Sequence, residues 1–290
     1  MKKSFKFYLC LIPLVYLGFL LEAQTSSPVP TPAPASVPAP SSFVDSLGLK
    51  FVPVPGTTTL FCTSMTRVRD YAKFVEVNHR EIVRPDFAQT QDDPVVMVSW
   101  EDAMAFCSWL TGKEHASKVL PPAWKYRLPT DAEWNAAVGL PSENAKPLDL
   151  TGSSSEQPVY PWGTDWPPPK GAGNYNPSLG VDSYRYTSPV KSFAPNANGL
   201  YDMGGNAWEW CMDSFNDSVD FRVLRGASWN MRNPGDLLSS ARVGNHPDIH
   251  LDTYSFRCVI ECPEEPAPTP VSVPTVAPSP SASNSASASH

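Results

Sequence analysis

Apolar residues change their spacing several times between residues 43 and 262, and each change marks an expected element. Residues 49–54, LKFVPV, alternate and stop at Pro55-Gly56, which predicts a strand closed by a turn, with a second strand over residues 58–62. Beyond Thr66, an apt N-cap, Val68, Tyr71, Phe74 and Val75 recur at helical spacing. A second helix is expected from Ser99, because Asp102 stands in capping-box position and Trp100, Ala103, Phe106, Cys107 and Leu110 share one face. A third lies in RLPTDAEWNAA (127–137), where Thr130 caps, Asp131 favours the first turn, Glu133 closes the box and Trp134 begins the buried face.

From Tyr160 onward the texture turns to short aromatic stretches among Gly, Asn and Pro, with no internal repeat. Within it, NGLYDMGGNAWEW (198–210) is a glycine-punctuated turn running into a short aromatic strand. Asp202 and Glu209 are hard oxygen donors, and Gly204 and Gly205 let the backbone turn carbonyls toward one centre, as calcium requires. The plainer reading of both carboxylates is that they are surface groups near a turn.

Composition sets the outer limits. All nine tryptophans fall within residues 43–262, enough apolar mass for one domain, while 24–42 and 263–290 are rich in Pro, Ser and Ala and cannot bury a core. The expected organisation is therefore a leader over 1–23, a proline-rich spacer over 24–42, the domain over 43–262 and a tail over 263–290. The leader joins Lys2, Lys3 and Lys6 to an apolar run over 7–21 and a small-residue cleavage site before Gln24. That run is interrupted by Pro13 and falls short of the ~20 residues a spanning helix needs, so export without a transmembrane span is expected, to a periplasmic, cell-surface or extracellular place. A net charge of −7 and the lack of a basic run argue against a nucleic-acid partner.

Seven pieces in order resemble the formylglycine-generating enzyme family, the sulfatase-modifying-factor domain: VSWEDAMAFCSWL (98–110), YRLPTDAEW (126–134), YPWG (160–163), GNYN (173–176), SPVKSFAPNANGLYDMGGNAWEW (188–210), LRGASW (224–229) and SFRC (255–258). The resemblance covers essentially all of 43–262. It implies an α+β class: an irregular, C-type-lectin-like fold with three main helices, short strands and two structural calcium sites. Carried over residue by residue, one site would use Asn174, Asp182 and the carbonyls of Tyr175 and Tyr184. The other would use Asp202, Glu209 and the carbonyls of Gly205 and Ala207. All are oxygen donors, which suits calcium.

In the aerobic members of that family two cysteines shortly after the GGS motif bind copper and activate oxygen. Here the motif is Gly226-Ala227-Ser228, and by spacing the two positions fall at Met231 and near Pro234. No cysteine occurs between Cys211 and Cys258, so no shift of alignment restores the pair, and neither methionine nor proline supplies a thiolate. The resemblance also implies a bridge between Cys107 and Cys258, which would stabilise the fold by closing a long loop. A second bridge, Cys62 to Cys262, is suggested by position alone, which leaves Cys211 as a buried, inert thiol.

Other constellations carry less. His246 and His250, in HPDIH, could hold a metal with Asp248, but Pro247 breaks helical pairing and iron lacks a third ligand. Neither a GxSxG elbow nor an HExxH helix is present. Trp208, Arg225, Ser228, Trp229 and Arg242 are the candidate binding residues around the former catalytic segment, for an unidentified peptide, protein or glycan ligand. The expected function is a secreted, calcium-braced, non-catalytic recognition module, with copper and iron both disfavoured. The alternative is a metal-dependent oxidoreductase of the same superfamily, formylglycine-generating or nonheme-iron in type, with a non-standard centre. An architectural envelope protein is a third reading.

Overall fold

The computed structural model describes residues 42–140, 158–216 and 220–263. The leader, nearly all of the spacer and nearly all of the tail expected from the sequence lie outside them. Every described residue falls within one unit, Pro38–His290. Among the described residues no helix is long and apolar enough to cross a membrane.

Among the described residues two sheets and three α-helices organise the fold. The first sheet has the order β1 (Phe43–Val44), β2 (Lys50–Pro53), β3 (Thr59–Cys62), β9 (Val259–Glu261), β4 (Lys125–Arg127), and each pairing is antiparallel. The second runs β7 (Arg242–Asn245), β6 (Arg222–Arg225), β5 (Trp208–Ser214), β8 (Tyr254–Ser255), with β5 and β8 parallel. The helices are α1 (Val68–Asn78), α2 (Trp100–Ala116) and α3 (Asp131–Val138).

Strand periodicity explains the layering. Along β3, Leu60 and Cys62 enter one apolar cluster while Phe61 enters another; along β9, Ile260 and Val259 divide in the same way. The first cluster is covered by α1 and α2 through Tyr71, Phe74, Phe106 and Leu110. The second is covered by Trp134 and Ala137 of α3, with Cys211 and Val223 from the second sheet. A sheet buried on both faces cannot alternate apolar with polar, which is why TLFC reads as a continuous buried run.

Two of the three helix starts follow the expected chemistry. Asp102 N donates to Ser99 Oγ at 3.0 Å, and Glu133 N donates to Thr130 Oγ1 at 3.1 Å. The start of α1 departs from it. Its cap is Arg67, not Thr66: the Arg67 guanidinium binds the Asp70 carboxylate, Nε to Oδ2 at 2.6 Å, and Asp70 Oδ2 also accepts from Arg67 N. Thr66 is held one step earlier, its N–H donating to the Phe256 carbonyl and its carbonyl accepting from Val95 N. Its backbone joins the loop to the core, so the helix starts one residue later.

Candidate functional site

The turn before β5 is built from backbone conformations that few residues tolerate. Asp202, Gly205 and Asn206 all have positive φ, at 55°, 83° and 66°. Gly205 is required on two counts, since a Cβ there would also collide with the Asn174 carbonyl. The turn is clamped from both sides: Gly205 N donates to Gly226 O at 2.7 Å, and Asn206 N donates to Asn174 O at 2.8 Å. The Asn206 side chain adds bonds to both backbone groups of Ser188 and accepts from Asn174 Nδ2.

At the end of this turn Glu209 meets Arg257, and both side chains are wholly buried. Nε donates to Oε2 at 2.5 Å and Nη2 to Oε1 at 2.7 Å, a bidentate pair. Arg257 Nη2 also donates to Tyr201 O and Nη1 to Cys62 O, so one guanidinium ties the turn, β3 and β5 together. Burial disfavours its charge, but Glu209 outweighs burial and holds its pKa above the usual value. Asp202 lies beside them, its Oδ2 accepting from Lys191 N, and burial pushes its carboxyl up to about 6. Two cations face these two carboxylates, the Arg257 guanidinium and the Lys191 ammonium, whose Nζ sits 5.5 Å from the Tyr201 ring centroid; both favour the ionised form of Asp202 against burial.

The other expected ligand set is also drawn together. Asp182 accepts from Tyr175 N at 3.0 Å and from Tyr184 N at 2.8 Å, while Asn174 Oδ1 is buried with no hydrogen-bond partner. Among the described residues no group of three or more His, Cys, Asp or Glu side chains stands close enough to hold a metal. Oxygen donors for a cation would thus be mixed carboxylate, amide and carbonyl. His246 and His250 do not converge: His246 packs on Phe221, with centroids 4.4 Å apart, and His250 Nε2 lies 2.8 Å from Asp102 Oδ2.

The cysteines divide by geometry. Cys107 Sγ and Cys258 Sγ are 3.5 Å apart, two buried thiols in contact and not bonded. Cys62 and Cys262 cannot meet in this register. Thr59 pairs with Glu261 and Phe61 with Val259, so Cys62 stands opposite Cys258, and Cys262 lies about four residues, ~13 Å, further along. Cys211 is fully buried, and burial raises its thiol pKa well above the usual range.

Around Gly226–Ser228 the five candidate binding residues separate. Trp208 and Arg242 line a cavity of about 240 Å³, with Phe215, Asp236, Leu238 and Val243. Arg225 does not reach it. Its side chain is buried over the Trp134 ring, ion-paired with Asp131 and bonded to Asn135 Oδ1 and Ser239 O. Ser228 is likewise enclosed, its Oγ donating to Asn230 Oδ1. Trp229 donates from Nε1 to Asp252 O and packs edge-on against Tyr186 and Phe87. Arginine and tryptophan here brace loops, a role that sequence spacing does not distinguish from ligand contact. Met231 is half-buried against the core, and Pro234 opens a 3-10 turn, Pro234–Leu237.

A family model described as the sulfatase-modifying factor enzyme 1-like domain matches residues 40–262. "Inactive C-alpha-formylglycine-generating enzyme 2" from Bos taurus is 37% identical over 183 residues, 57% of this chain and 49% of that protein. A "Formylglycine-generating enzyme" from Thermomonospora curvata is 35% identical over 160 residues, 52% of this chain and 42% of that one. The chain spans about half the length of the curated relatives it matches. In fold it is similar to PvdO from Pseudomonas aeruginosa, with a TM-score of 0.53 at 21% identity over 70% of this chain and 80% of that one. CarF gives 0.50 at 22%, over 69% and 85%.

Replacing Glu209 with Ala would strand the buried Arg257 charge. The expected loss is about 3–5 kcal/mol, read as a lowered urea midpoint with an unchanged slope. A loss below ~1 kcal/mol would show that the pair is not a structural tie.

Proposed function

The chain belongs to the sulfatase-modifying factor enzyme 1-like domain family, and from that premise we propose an exported, calcium-braced recognition domain without a copper–thiolate oxidation centre. One observation carries the reading: between Cys211 and Cys258 the chain has no cysteine, and Met231 and the residues around Pro234 stand where the thiol pair is expected. Oxygen activation at copper(I) needs thiolate ligands, which a thioether and a pyrrolidine ring do not provide. Relatives whose printed name is inactive are in keeping with this. The scaffold motifs, by contrast, are retained, and a ligand-sized cavity lies beside Trp208.

Calcium suits the two oxygen-donor sets. A hard divalent cation would relieve the buried, unpartnered Asn174 Oδ1 with the nearby Asp182, and would offset the burial that disfavours the ionised form of Asp202. Asn174, Asp182 and the carbonyls of Tyr175 and Tyr184 would hold one ion. Asp202 and the carbonyls of Gly205 and Ala207, with Glu209 shared between the ion and Arg257, would hold the other. The metal would supply positive charge to the interior and take no part in chemistry. Cys107 and Cys258 stand where an oxidising compartment would close them into a bridge.

Incubated with copper, oxygen and a CxPxR sulfatase peptide, the purified protein should leave the peptide mass unchanged; formation of formylglycine at an enzymatic rate would end the reading. Intact mass of protein recovered from a secreting host should show loss of residues 1–23 and of the two thiol hydrogens of Cys107 and Cys258. Retention of either counts against export into an oxidising space. Chelating calcium should lower Tm by about 5–10 °C, reversed by calcium and not by magnesium, if the ion is bound at ~100-fold over its Kd. An unmoved Tm would remove calcium from the account.

A further inference from the structure

The cavity beside Trp208 has opposite charges on its rim and apolar carbon on its walls. Arg242 is fixed by two contacts: Nη2 lies 3.0 Å from Asp131 Oδ2, and the guanidinium sits 5.0 Å from the Phe215 ring centroid. Its Nε is buried with no hydrogen-bond partner among the described residues. Asp236 Oδ2 accepts from Asn233 Nδ2 at 2.9 Å, and no cationic side chain pairs with the Asp236 carboxylate among the described residues. Arg242 opens β7 and Asp236 lies in the 3-10 turn Pro234–Leu237, so the two charges sit on separate elements and do not satisfy one another.

Size narrows the occupant. A volume of about 240 Å³ falls below the ~300–1,000 Å³ of sites that take drug-sized molecules. A molecule that carries one negative and one positive group close together, with a compact apolar body, meets every wall at once. Resting on the recognition-domain reading, we propose that this cavity takes a free α-amino acid with an apolar side chain: carboxylate on Arg242, ammonium on Asp236, side chain against Trp208, Leu238 and Val243. Each charge contact is a charge-assisted hydrogen bond, and a molecule lacking either group leaves one rim charge unmet. The selectivity is therefore for the zwitterion and against its singly charged relatives.

Calorimetry and saturation-transfer NMR on the full domain would test this with four probes: L-leucine, 4-methylpentanoic acid, 3-methylbutylamine and N-acetyl-L-leucine amide. L-leucine should bind saturably, with the other three at least about tenfold weaker. Arg242→Gln and Asp236→Asn should each weaken L-leucine by about tenfold or more; Ala241 also lines the cavity, so Ala241→Trp, which fills it, should abolish binding. Arg242 also holds Asp131, so Asp236→Asn is the variant that reports on the ligand without touching that ion pair. Equal binding of the acid or the amine would overturn the zwitterion while keeping a ligand pocket. Binding that survives Ala241→Trp would place the ligand elsewhere and overturn the site. Silence from all four probes would overturn the proposal, whereas the recognition-domain reading is decided separately by the sulfatase-peptide assay.

Discussion

Glu209 and Arg257 form an ion pair with no access to water, and the fold is arranged around keeping it complete. Arg257 leads into β9, an interior strand of the first sheet, and Glu209 lies in β5, an interior strand of the second. The guanidinium also reaches the carbonyls of Cys62 and Tyr201, which fixes where β3 ends and how the glycine turn enters β5. An apolar pair could fill the same space at no loss of stability. What it could not do is set direction: five donors in a planar fork accept only one placement of the two sheets.

From that placement the rest of the region follows. With β5 fixed, Gly205 is forced between the Asn174 and Gly226 carbonyls, and the loops carrying Asn174 and Asp182 are drawn to the same side as Asp202. Arg225, one residue from Gly226, is then buried against Trp134, and its ion pair with Asp131 positions Arg242 through their shared carboxylate. The cavity beside Trp208 is thus a consequence of packing in two neighbouring layers. Its rim residues are held by groups that never touch a ligand.

Local chemistry was legible in the sequence and long-range chemistry was not. Ser99 with Asp102 and Thr130 with Glu133 announce their helices because both partners lie within one turn. At α1 the same logic selects Thr66, since side-chain oxygen is the usual cap; the Arg67–Asp70 pair has the stronger electrostatic claim, and Thr66 is bound to Phe256, 190 residues away along the chain. Glu209 was visible as an oxygen donor, but nothing near it in the chain pointed to Arg257. Arg225 and Ser228 fall in the right segment for ligand contact and are turned inward by tertiary packing. The apposition of Cys107 and Cys258 came through the family likeness, whereas pairing Cys62 with Cys262 required a strand register that only the sheet supplies.

The position of β9 has a consequence for how the molecule is made. It is the last strand among the described residues, yet it lies between β3 and β4, so the first sheet lacks an interior strand until residue 261 has been synthesised. β3 is paired only with β2, β4 has no strand partner, and Glu209 lacks its counter-charge, while the ribosome is still adding the final residues of the domain. Such non-local pairing slows folding and delays commitment to the native state. A nascent chain built this way stays pliable until translation of the domain is complete.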